Sequence, residues 1–187
     1  MLIPAIILAA GASRRLGRPK QLVPVGEETL LGRTVRVARE SGAEPVFAVL
    51  GAHSDEIRAG VDLDGVQLIV NADWEQGIAS SIGSAVRALQ EAEFEAAMLL
   101  VCDQPRLTAD HLRMLMDEAR ARTGIVASSY AGVAGIPAVF PASEFPRLLA
   151  LRGDVGARSL LRGSGCVLVA FEGGDVDVDT AADLERI

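Results

Sequence analysis

The chain has 187 residues, half of them apolar, and a formal net charge of −7. That length fits one domain with room for a large core, and the acidic balance excludes a general nucleic-acid binder, whose phosphate contacts demand Lys and Arg. No apolar run approaches the roughly 18 residues of a membrane-spanning helix, and residues 2–10 are followed by basic residues instead of preceded by them, the reverse of a secretory leader, so a cytoplasmic protein is expected.

Residues 5–10, AIILAA, read as a short buried strand that opens into a Gly- and Arg-rich loop over 11–20. Residues 30–41 carry Leu30, Leu31, Val35, Val37 and Ala38 at helical spacing and close at Gly42. Residues 45–50, PVFAVL, predict a second buried strand, 55–59 a short helix, and 66–70, VQLIV, a third strand ending at Asn71. Gly77 precedes a helix over 78–90, striped by Ile82, Ala85, Val86 and Leu89. Residues 96–101, AAMLLV, predict a fourth strand that stops at Cys102-Asp103-Gln104-Pro105. Thr108 is placed to cap a helix running to about 121, and 125–128 form another strand. Beyond it the pattern predicts strands over 135–140, 167–170 and 175–179, and helices over 145–151, 156–161 and 181–187. Continuously apolar strands alternating with helices predict a three-layer α/β/α domain with a mostly parallel sheet covered on both faces. A single domain over 1–187 is expected.

The two cysteines, Cys102 and Cys166, lack metal-motif spacing and read as buried small side chains. His53 and His111 have no second ligand nearby in sequence and read as surface or rim residues. Three segments concentrate chemistry instead. In an open α/β sheet, ligands bind beyond the carboxyl ends of the strands, and the predicted ends carry Gly11, Gly51, Asn71 and Asp103. The loop LAAGASRRLGRPK (8–20) gathers four of the eighteen basic residues of an acidic chain. Small residues let its backbone approach a triphosphate closely, and Arg15 and Lys20 supply cations for it. The loop is neither a Walker A sequence nor G-x-G-x-x-G, which weighs against a dinucleotide oxidoreductase. Asp103 at a buried strand end is a hard oxygen ligand suited to Mg²⁺. In DVDVDTAAD (175–183), strand alternation would place Asp175, Asp177 and Asp179 on one face, where like charges call for a cation or solvent.

The first loop, with Leu22-Val23-Pro24-Val25 after it, resembles the signature of the nucleotidyltransferases that include the molybdenum-cofactor guanylyl- and cytidylyltransferases. NADWEQGIASS (71–81) and the DVDVDTAAD ending resemble further segments of that family, although Ala181 and Ala182 stand where Pro and Glu are usual. The resemblance implies a Rossmann-like nucleotidyltransferase fold, with a nucleotide-binding half over 1–128 and an acceptor-side half over 129–187. It implies nucleotide binding by Leu8, Ala9, Ala10, Gly11, Ala12, Ser13, Arg15, Lys20, Asn71, Ser81 and Asp103, with Arg15, Lys20 and Asp103 catalytic. It implies Mg²⁺ on Asp103 and Asp177, with Asp179 the next candidate. GIPAVF (135–140) and GDVGAR (153–158) are similar to the acceptor-side half, which implies acceptor binding by Gly135, Pro137 and Asp154; Asp154 alternatively caps a helix. Trp74 reads as packing more than base stacking.

Ala9-Ala10-Gly11 and Cys102-Asp103-Gln104-Pro105 resemble the branch that uses CTP; the guanylyl branch more often has a second glycine. The implied reaction transfers CMP from CTP to molybdopterin, releases pyrophosphate and hands the product to a molybdoenzyme partner. Three other readings stay open: a GTP-using enzyme, a transferase for sugar phosphates or another small molecule, and a non-catalytic module that only carries the cofactor.

Overall fold

The computed structural model describes residues 1–162 and 165–186. Its main elements follow the predicted order. They are β1 (Ala5–Leu8), β2 (Pro24–Val25), β3 (Glu28–Thr29), α1 (Leu30–Glu40), β4 (Val46–Leu50), α2 (Ser54–Gly60), β5 (Gln67–Val70) and α3 (Ile78–Glu91). After them come β6 (Ala96–Val101), α4 (Ala109–Ala121), β7 (Val126–Tyr130), β8 (Val133–Pro141), α5 (Phe145–Leu149), α6 (Arg158–Leu161) and β9 (Val167–Ala170).

Seven strands form one sheet in the order β5-β4-β1-β6-β8-β7-β9. Neighbours pair in parallel except β8, which is antiparallel to both β6 and β7. Period-two alternation sends successive side chains to opposite faces. Ala96, Met98 and Leu100 of β6 join Leu31, Val35, Leu112 and Leu115 of α1 and α4 in one core. Ala97 and Leu99 join Ile82, Val86, Phe145 and Leu148 of α3 and α5 in the other. The expected three-layer α/β/α arrangement is therefore present. Thr108 caps α4 as predicted, its hydroxyl accepting from His111 N at 3.3 Å, and Thr29 caps α1 in the same way. Among the described residues, no helix is long and apolar enough to cross a membrane.

Four expectations are corrected. A short hairpin, β2 with β3, lies between the basic loop and α1 where no element was expected; its two-residue strands are too short to show periodicity. Residues 175–179 are not a strand. The alternation is real, with Val176 and Val178 buried, but the segment crosses the strand ends and is tied to them by Val178 N donating to Asp103 O at 2.9 Å. The terminal helix is a 3-10 turn over Ala181–Arg186, and Ile187 of the expected span lies outside the described residues.

The fourth concerns His111, which is buried instead of at the rim. Its Nε2 lies 2.8 Å from Ser128 Oγ, and its ring stacks on Phe171 at 4.4 Å. Burial lowers its pKa from 6.5 to about 4. The unfolded chain therefore takes up this proton before the folded one does. Stability from the neutral ring is complete above about pH 6.5 and is lost as pH falls toward 4. Urea unfolding is expected to show His111 withdrawing about 2 kcal/mol between pH 7 and pH 5. His111→Gln should flatten that slope; an unchanged slope would contradict the assignment.

Candidate active site

β1 and β6 are adjacent and parallel, with Leu8 paired to Val101, so the segments that leave them emerge side by side. After β1 comes the loop through Lys20; after β6 come Cys102 and Asp103. The loop is folded back by its own polar groups. Ser13 adopts a left-handed backbone (φ 52°), and its carbonyl accepts from Leu16 N and Gly17 N. Its hydroxyl accepts from Lys20 N at 3.0 Å, which sets the lysine at the end of the loop. Gln21 is buried beneath, its Nε2 donating to Ala9 O at 2.6 Å and Gly11 O at 3.0 Å. Carbonyls drawn onto Gln21 are turned from any triphosphate above the loop, where only donors are useful.

Lys20 is the centre of the arrangement. Its Nζ lies 2.6 Å from Asp103 Oδ2 and 3.0 Å from Asp179 Oδ1. Arg15 Nη2 reaches the other oxygen of Asp179 at 2.8 Å. Burial alone would lower the lysine's pKa, but Asp103 first and Asp179 after it outweigh that and raise it. Asp179 is held below the carboxylate range: burial pushes it up, and Lys20 and Arg15 more than offset the push. Among the described residues Asp177 has no such hydrogen-bonded cation, and burial, followed by the charges of Asp103 and Asp179, lifts it to about 6. Burial and then Asp103 push the Cys102 thiol up to about 12, so it is no nucleophile near neutral pH.

A cleft of about 360 Å³ opens beside this cluster. Residues 8–12, Lys20 and Gln21 form one wall, Trp74, Gly77, Ile78 and Ser81 the other, and Asp103 and Asp154 also face it. Gly77 has φ 95°, and a Cβ there would overlap the Gly153 backbone and the Asp154 carboxylate. Glycine thus lets the segment at Gly153 and Asp154 close on the start of α3, where Ala79 N donates to Gly153 O at 3.1 Å.

The site residues expected from sequence divide accordingly. Leu8, Ala9, Ala10, Gly11, Ala12, Lys20, Ser81, Asp103 and Asp154 line one cleft. Ser13 and Asn71 act from behind it: Asn71 is buried, with Nδ2 donating to Ser80 Oγ at 2.8 Å and Ser81 Oγ at 3.0 Å. Arg15 stands at the outer edge, 71% exposed. Gly135 and Pro137 are not among the residues that line this cleft. Both are buried in β8, and Gly135 is glycine because a Cβ would overlap the ring and hydroxyl of Tyr130. Sequence reasoning missed Gln21, whose place after Lys20 gave no sign of burial. It also passed over Arg14, Glu75 and Ile78, which line the cleft.

Among the described residues, no three acidic, His or Cys groups are placed to hold a metal by themselves. Asp103, Asp177 and Asp179 are thus not a closed cage. Their oxygens do suit a hard divalent cation, which commonly takes one or two carboxylates and completes its shell with substrate phosphates.

The sequence profile of the MobA-like NTP transferase domain matches residues 5–169. The chain belongs to this family. The chain is 32% identical to the purine catabolism protein PucB of Bacillus subtilis, over 97% of this chain and 94% of that one. It is 29% identical to the nicotine blue oxidoreductase of Paenarthrobacter nicotinovorans over 99% and 96% of the two chains. Identity to the molybdenum cofactor cytidylyltransferase of Escherichia coli is also 29%, over 72% and 68%. Among solved structures, the manganese complex of Rv0371C from Mycobacterium tuberculosis H37Rv superposes with a TM-score of 0.83 at 31% identity, covering 100% and 97%. The MobA-like assignment makes the chain a nucleotidyltransferase with a nucleoside triphosphate as donor, on a Rossmann-like fold.

Proposed function

We propose that this enzyme transfers CMP from CTP to the terminal phosphate of molybdopterin and releases pyrophosphate, using Mg²⁺. The observation that carries the proposal is Lys20 held between Asp103 and Asp179 at the edge of a cleft walled by the Ala/Gly loop. A triphosphate laid along residues 9–12 would meet Lys20, with Arg15 at the outer edge. Asp103 and Asp177 would hold the divalent ion, which would neutralise charge on the α-phosphate and the departing pyrophosphate. The manganese complex of the mycobacterial relative supports divalent-metal use. The acceptor phosphate is ionised at neutral pH, so its oxygen attacks the α-phosphorus without a general base. The new O–P bond forms as the bond to pyrophosphate breaks. Catalysis then rests on positioning and charge stabilisation, consistent with His111 being buried away from the cleft and with the raised pKa of Cys102.

CTP is favoured over GTP because Ala10 lines the cleft where the guanylyl branch more often has glycine, and a methyl there would disfavour a purine. The product would pass to a molybdoenzyme. The oxidoreductase name of one relative favours a second reading, redox chemistry on the same fold. Calorimetric titration with CTP, GTP and NADPH, each with Mg²⁺ and with Mn²⁺, separates these. CTP is expected to bind at least about tenfold tighter than GTP, a difference of about 1.4 kcal/mol. Tighter GTP would reverse the branch, and NADPH binding in the cleft would favour the second reading.

A further inference from the structure

The acceptor must bring a phosphate dianion up to Asp103, Asp177 and Asp179. Lys20 and Arg15 already face Asp103 and Asp179 on the donor side. The divalent ion and Lys20 offset part of the repulsion among these like charges, and a further cation on the acceptor side would favour the incoming dianion. Arg158, at the start of α6, is in position to do so. It is exposed and makes no ion pair among the described residues. Its Cζ lies 5.9 Å from the centroid of the Tyr130 ring. Tyr130 shares the Ile136 carbonyl with Gln104 Nε2, which donates to it at 3.1 Å, so the ring beneath Arg158 lies next to the strand end that carries Asp103.

Tyr130 is a fixed platform. Its hydroxyl donates to Ile136 O at 3.0 Å, and its ring stands edge-on to Phe171 at 5.9 Å. The ring occupies the space that Gly135 leaves by lacking a side chain. A guanidinium over an aromatic face is held by cation–π attraction while its N–H fork stays free for a planar pair of phosphate oxygens.

We infer that Arg158 receives the phosphate monoester of the acceptor, with Tyr130 as the positioning residue that orients its guanidinium; this rests on the nucleotidyl-transfer reading above. The acceptor-side role expected of Gly135 thereby becomes indirect: the glycine admits the tyrosine, and the tyrosine presents the arginine.

The test uses the full chain loaded with Mg²⁺ and a CTP analogue carrying a methylene between the α- and β-phosphates. The chain is titrated calorimetrically with molybdopterin in one arm and N-acetylglucosamine 1-phosphate in the other, which distinguishes a pterin from a sugar source of the phosphate. Arg158→Ala should weaken the arm that binds by about tenfold or more, and Arg158→Lys by less, because the charge stays and the fork is lost. Tyr130→Leu should weaken it as well, while affinity for the CTP analogue stays at the wild-type value in all three variants. Equal acceptor affinity in wild type and Arg158→Ala, or binding in neither arm, would overturn the inference. Pyrophosphate release by wild type with CTP and the bound acceptor is followed separately. Its absence, with binding still dependent on Arg158, would sink the transfer reading and leave the anion site standing.

Discussion

Asp103→Asn is expected to lower turnover on the order of 10³-fold or more, because it removes a charge that acts on both Lys20 and the divalent ion. The fold should survive. The link from this position to the acidic ending is the backbone bond from Val178 N to Asp103 O, which the substitution does not touch. Lys20 also keeps its second carboxylate, Asp179, at 3.0 Å. The check is pyrophosphate release at saturating CTP and Mg²⁺ alongside thermal unfolding. A variant that unfolds at the wild-type temperature and turns over within tenfold of it would remove Asp103 from the chemistry.

Lys20→Ala should cost roughly 2–4 kcal/mol of transition-state stabilisation, which appears as a fall in kcat/KM for CTP of about 30- to 1000-fold. The lysine is held from three sides: Ser13 fixes its backbone, and Asp103 and Asp179 hold its ammonium. A triphosphate would replace those carboxylates as its partner, and that exchange is available only to a cation already in place. Arg15→Ala should cost less, because that guanidinium is largely solvated and its pair with Asp179 is screened. Steady-state kinetics in CTP on both variants provides the comparison. Equal losses would contradict the central place given to Lys20.

Most of the fold could be read from the sequence because the strands of a covered parallel sheet are continuously apolar. The segments 45–50 and 96–101 are apolar throughout and shorter than the usual helix, and they supply β4 and β6. The errors fall where periodicity carries no information. Residues 175–179 alternate as a strand does, yet alternation records only which side chains are buried. Val178 N bonds to Asp103 O, and the segment crosses the strand ends without joining the sheet. His111 was placed at the surface or rim because no partner lies near it in sequence, and its burial depends on Ser128 and Phe171, far away in sequence.

The site was legible to the extent that its residues are contiguous. The loop from Leu8 to Lys20 declared itself by small residues and charge, and Asp103 by its place at a strand end. Gln21 did not, because nothing local shows that its amide is buried against Ala9 and Gly11. Gly135 was singled out for acceptor binding, and it lies outside the described cleft. A glycine in a sequence marks close approach without naming what approaches, and here it is Tyr130.

The central claim is that Lys20, Arg15 and Asp103 serve nucleotidyl transfer to a phosphate. It is tested most directly by incubating the wild-type chain with α-³²P-labelled CTP, Mg²⁺ and molybdopterin and following label and pyrophosphate together. The account predicts one pyrophosphate released for each labelled CMP joined to the acceptor. Bound CTP that yields neither product, with Mg²⁺ or Mn²⁺ and with any phosphorylated acceptor, would contradict it.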